Sequence, residues 1–120
     1  MRSEVLTATL SELNGTSADI EASAVISTDG LVMTALLSSG MDEDRVGAMS
    51  SAMLSLGGRT AKELARGELE QVLIRGEKGY VLMTHAGEEA VLTVVTKPSA
   101  KLGLIFLDIK RAAEALTKVI

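Results

Sequence analysis

Three short segments between residues 69 and 96 place large aliphatic residues at successive positions: Val72-Leu73-Ile74, Val81-Leu82-Met83 and Val94-Val95. Successive side chains of a strand point to opposite faces, so a strand with one wet face alternates apolar and polar residues. These segments do not alternate, and a sheet covered on both faces is expected. Two turns separate them, Gly76-Glu77-Lys78-Gly79 and Ala86-Gly87-Glu88-Glu89. Leu69–Arg75, Tyr80–His85 and Ala90–Thr96 therefore form an antiparallel meander.

The covering elements are legible on either side. Val5, Leu6, Leu10 and Leu13 share one helical face over residues 4–14, and Asn14-Gly15 is expected to cap that helix. Ala22–Ile26 and Leu31–Leu37 flank Thr28-Asp29-Gly30. Asp-Gly favours a hairpin turn with positive φ at both central positions. Asp42 is placed to cap a second helix, with Glu43 and Asp44 in its first turn. That helix is expected to run to about Arg66, with Gly67 beyond it. Its large residues Val46, Met49, Met53, Leu56, Thr60 and Leu64 recur at steps of three and four, which predicts a core-facing stripe. Pro98-Ser99 precedes a last helical pattern, Leu102, Ile105, Phe106, Ile109, Ala113, Leu116 and Ile120, giving a helix over about Ser99–Val119.

The expected order is α-β-β-α-β-β-β-α. This is an α+β sandwich with a five-stranded antiparallel sheet and helices on both faces: the first and third on one, the second on the other. The 120 residues fit a single domain, 1–120.

Composition removes several classes of chemistry. There is no Cys and one His, which excludes thiolate chemistry and multi-His metal centres. A net charge of −4, with only Tyr80 and Phe106 aromatic, argues against nucleic acid. No apolar run approaches the roughly 18 residues of a membrane span, and Met1-Arg2-Ser3-Glu4 lacks a signal-peptide apolar region. A cytoplasmic protein without membrane insertion is expected. Gly57-Gly58 lies within a helical pattern rather than between strand and helix, so it does not meet the context of a phosphate loop. His85 has no Gly-x-Ser-x-Gly partner and reads as an ordinary strand-end residue. The acidic pairs sit at a helix start and a turn, where they cap and solubilise. No cofactor, metal or catalytic residue is assigned, and an enzyme is not expected.

Opposite the large stripe of the second helix lie Ala48, Ser51, Ser55, Gly58 and Lys62, with Arg59 and Arg66 beside them. Gly57 and Gly58 each cost about 1 kcal/mol relative to Ala in a helix interior, so they call for a reason. A tolerated kink is one, and close approach of a second helix from a symmetric copy is the other. Leu69–Arg75 follows that helix and is placed to be an apolar sheet edge, a hazard unless covered. Gly58→Leu or Ser55→Arg is expected to break such a dimer.

The chain resembles the roadblock/dynein light chain family, in a bacterial or archaeal form like the MglB proteins. The resemblance is carried, in order, by Ala22–Met33, Ala48–Gly57, Arg66–Ile74, Gly79–Met83 and Leu102–Ile105. It implies a sandwich that dimerises through the second helix and third strand. It implies a noncatalytic platform that binds small Ras-like GTPases, activates them, or tethers cargo. On this sequence the dimer contacts would fall on Ala48, Ser51, Ser55, Gly58, Val72 and Ile74. Arg59 and Lys62 would be candidates for a GTPase surface. No motif marks an arginine finger, and the activating mode stays open. Two other readings stand beside it: a sensory or ligand-binding α/β module, and a protein-assembly adaptor without a GTPase. The first predicts an internal cavity, and no polar cluster among the apolar strands is placed to orient a ligand.

Overall fold

The computed structural model describes residues 2–120, with Arg2 as backbone only; Met1, where the reading of the N-terminal signal begins, lies outside the described residues. The elements follow the expected order: α1 Arg2–Thr16, β1 Ile20–Ser27, β2 Val32–Leu36, α2 Glu43–Glu63, β3 Val72–Gly76, β4 Gly79–His85, β5 Ala90–Thr96 and α3 Leu102–Thr117. The five strands form one antiparallel sheet ordered β2-β1-β5-β4-β3. The hairpin and the meander meet where β1 pairs with β5, setting Val25 opposite Leu92 and Ile26 opposite Val91. β2 and β3 are the edges.

Helices α1 and α3 cover one face. Leu6, Leu10, Leu13, Ile105, Ile109 and Leu116 close over Val25, Leu82, Leu92 and Val94, all buried. Burying each such side chain is worth about 1.5–3 kcal/mol. Helix α2 covers the other face over Ala24, Ile26, Met83 and Val91. Successive residues of β1 and β5 thus enter different cores, as their unbroken apolar runs require.

The ends of the elements depart from expectation in several places; α3 begins at Leu102 behind Lys101, which makes no side-chain cap, rather than at Ser99. Asn14-Gly15 does not end α1, which continues to Thr16. The Asn14 carboxamide oxygen instead accepts from the buried Ser23 hydroxyl at 2.7 Å. In the first hairpin only Gly30 has positive φ, +93°, and Asp29 does not. The Gly30 N–H donates to the Ser27 carbonyl and the Ser27 N–H to that of Leu31, a three-residue loop closing on a left-handed glycine. The Ser27 hydroxyl donates to Asp29 and holds its carboxyl below the usual value.

Helix α2 stops at Glu63, three residues early. The left-handed residue that follows is Ala65, φ +57°, not only Gly67. The Ala65 N–H reaches the Lys62 carbonyl and that of Arg66 the Ala61 carbonyl, the paired bonds of a Schellman ending. β3 begins at Val72 rather than Leu69, because Leu69 turns down onto the α2-side core. At its start, α2 behaves as expected. Asp42 Oδ1 accepts from the Asp44 and Arg45 N–H groups at 2.9 and 3.3 Å.

The largest correction concerns the face that α2 buries. Its buried residues are Gly47, Ser50 and Leu54. Met49, Leu56 and Leu64, expected to face the core, are 63%, 57% and 66% exposed, while Val46 and Met53 are half-buried. The cause is close packing. A Cβ on Gly47 would lie 2.5 Å from the Gly30 carbonyl oxygen, so helix and hairpin backbones meet where no side chain fits. At this short spacing there is room for Ser50, whose Oγ accepts from buried Thr93 Oγ1 at 2.8 Å, but not for a layer of Met and Leu.

Candidate functional site

Two surfaces flank α2, and the helical period separates them. One carries Val46, Met49, Met53 and Leu56, and leads onto the exposed side of β3. Met53 packs on the α2-side core beside Val72 and Val81. Val81 pairs directly with Ile74, which is 36% exposed at the sheet edge. Gly57 lets this strand approach: a Cβ there would sit 2.9 Å from Val72 Cγ2. Met49 and Leu56 on α2 and Ile74 on β3 are thus exposed apolar residues on this side of the molecule, where β3 presents a free backbone edge. Sequence reasoning missed Met49 and Leu56 as surface residues. Their stripe was visible, but its destination was not.

The other flank carries the small residues. Ala48 and Ser55 are exposed, and Ser51 and Gly58 are half-buried. The Ser51 hydroxyl donates to the Thr28 carbonyl at 2.6 Å, tying α2 to the first hairpin. Nothing lies within 4 Å of a Cβ built on Gly58. The six expected dimer residues are therefore divided: Val72 and Ile74 belong to the first surface, and Ala48, Ser51, Ser55 and Gly58 to the second.

The small-residue flank forms one wall of a cleft of about 340 Å³. Leu54, Leu69 and Val91 supply apolar lining. Ser55, Gly58, Arg59 and Lys62 contribute from α2, and His85 from the end of β4. Arg59 and Lys62, expected on a partner surface, are brought together here. His85, read as an ordinary strand-end residue, joins them because β4 ends beneath this stretch of α2; no spacing in the sequence signalled it. Lys62 Nζ lies 3.6 Å from Glu68 Oε1, an exposed pair worth under about 1 kcal/mol. Among the described residues no group of three His, Cys, Asp or Glu is placed to hold a metal ion. No helix among them is long and apolar enough to cross a membrane.

These features define a class: an α+β sandwich with one helical face closed, the other left apolar at its flank, and an open strand edge beside it. The chain belongs to the Roadblock/LC7 domain family, matching it over residues 6–96. An uncharacterized protein of Methanocaldococcus jannaschii is 46% identical over 107 residues, covering 89% of this chain and 92% of its own length. Among solved structures, Myxococcus xanthus MglB superposes with a TM-score of 0.89 at 22% identity, over 98% of this chain and 88% of that one. The gliding protein MglB of Thermus thermophilus gives 0.86 at 23%, over 98% and 90%. At these identities the likeness is one of fold.

Proposed function

We propose that this protein is a noncatalytic homodimeric platform that regulates or scaffolds a small Ras-like GTPase. One observation carries the dimer: Met49 and Leu56 are exposed on α2, adjoining an uncovered apolar edge strand. Exposed strips of this kind mark interaction sites, and unpaired edges invite pairing. A dyad through β3 would pair the two edges and bring the two α2 flanks together. Met49, Met53, Leu56, Val72 and Ile74 would then be buried, and the sheet would continue across both copies. Ala48, Ser51, Ser55 and Gly58 would carry the interface only if the copies met through the other flank.

The GTPase partner is supported by the family and by the fold shared with the MglB proteins. Arg59 and Lys62 are the cations that α2 offers to such a partner. The platform would act in the cytoplasm as one domain without a cofactor, and any stimulation of hydrolysis would come from positioning the GTPase's own groups.

The test has two parts. Solution mass is measured for Leu56→Glu and Ser55→Arg. A monomer for the first and an intact dimer for the second supports the large-residue flank; the reverse moves the interface to the small one. GTP turnover by a Ras-like GTPase encoded beside this chain is then followed with and without the protein. Faster turnover in a complex of two copies with one GTPase establishes an activating dimer. Binding without acceleration leaves a scaffold, and no binding sinks the GTPase reading.

A further inference from the structure

The cleft between α2 and the end of the sheet is built differently from the apolar flank, and it has a ligand chemistry of its own. Its lining is apolar on Leu54, Leu69 and Val91. Its rim carries two cations, Arg59 and Lys62, against one carboxylate, Glu68, in a chain of net charge −4. No ion pair engages Arg59 among the described residues, and the Lys62–Glu68 contact is long and solvated. The His85 imidazole and the Ser55 hydroxyl line the same space. Gly58 is the informative residue. It stands in a helix interior where Ala is the better helix former, yet no atom lies within 4 Å of the position its Cβ would occupy. Packing within the chain does not require a glycine there, and the absent side chain leaves that part of the cleft open.

We propose that this cleft binds a small organic anion, with a phosphate or carboxylate head on the Arg59–Lys62 rim and an apolar body on Leu54 and Val91. The volume lies at the lower end of small-ligand pockets, which are apolar with a few placed polar groups. Arg59 offers a planar pair of donors suited to an oxyanion, and Lys62 a mobile point charge. The sequence held no polar cluster within the strands because this one is assembled from a helix flank and a strand end. The cleft opens on the small-residue flank of α2, and only its Arg59 rim, three residues beyond Leu56, borders the surface that carries Met49 and Leu56. It requires no GTPase, but it draws on the same Arg59 and Lys62 as that reading, and anion binding to the protein alone tells the two apart.

The test is a titration followed by amide chemical shifts, with phenyl phosphate and benzoate as probes and benzyl alcohol and inorganic phosphate as controls. Saturable shifts centred on Leu54, Gly58, Arg59, His85 and Val91 are expected with at least one of the two organic anions, and the tighter one identifies the preferred head. Arg59→Ala should weaken that binding about tenfold, the size of one charge-assisted hydrogen bond. Glu68→Gln, which frees Lys62, should tighten it by about threefold. Gly58→Leu should abolish it while leaving the remaining spectrum and the solution mass unchanged. The proposal is overturned if benzyl alcohol binds as tightly as the anions, if neither anion saturates at millimolar concentration, or if Gly58→Leu binds normally. Loss of GTPase binding in Arg59→Ala without any anion binding would likewise overturn it, by assigning the rim to a protein partner.

Discussion

The two faces of the sheet are covered by helices, yet they are finished to different degrees. On the α1/α3 face, leucines and isoleucines from both helices fill the space above the sheet, with Leu10, Leu92 and Leu116 fully buried. On the α2 face the helix comes down on Gly47, Ser50, Leu54 and Gly57, and its large residues are turned aside. The first face is filled over the sheet, although α3 turns Leu104 and Leu107 outward, 60% and 53% exposed. The second spends its small residues on close approach and leaves its Met and Leu at the flank, beside an edge strand. An isolated fold gains little from that arrangement, because exposed methionine and leucine contribute no burial. The two faces differ in what lies directly over the sheet, and in the open edge of β3 that adjoins only the α2 side.

That comparison can be broken most directly with the same substitution on each face. Leu10→Ala should cost about 2–5 kcal/mol, since it removes a fully buried side chain and leaves a cavity. Leu56→Ala should change the stability of the monomer by less than about 0.5 kcal/mol, as is usual at exposed sites. Urea unfolding in dilute solution measures both, and equal losses would erase the distinction between the faces. Next in size is Gly47→Ala. Helix propensity alone would make it stabilising, but its methyl would collide with the Gly30 carbonyl, and a loss of about 1–3 kcal/mol is expected from the forced displacement. A gain in thermal midpoint would show that the backbones do not approach as closely as described. Smallest is Ala65→Gly. Ala65 is left-handed at the end of α2, and relieving it should raise stability by about 0.5–1 kcal/mol without affecting self-association.

Much of the fold was legible in the sequence. Unbroken aliphatic runs in the meander announced a doubly covered sheet, which holds for the central strands β1 and β5 and for Leu82 and Met83 of β4, whereas Leu73 and Ile74 of the edge strand β3 are exposed. Asp42 was recognisable as a cap, because its side chain serves N–H groups two and three residues away. The misreadings arose where a local signal had a distant competitor. Asn14 looked like a helix terminator, but its carboxamide is engaged by Ser23, nine residues on. The Asp-Gly pair specified a hairpin but not its turn type, since Ser27 engages Asp29 and Gly30 alone turns left-handed. Of the site residues, Arg59 and Lys62 were visible as a pair, and His85 was not, because only the folded sheet carries the end of β4 beneath α2.

The order of the elements, their antiparallel pairing within hairpins and the edge position available to β3 were determined by the sequence, through interactions spanning a few residues: turn geometry, capping and side-chain period. Which way α2 is rolled was decided by tertiary structure alone. The helix offers two stripes, one large and one small, and the period makes both visible without ranking them. Hydrophobicity favours burying the large one. Contact between the α2 and hairpin backbones at Gly47 and Gly30 selects neither: it buries the line Gly47, Ser50 and Leu54 that runs between them, and that contact exists only once the sheet is formed.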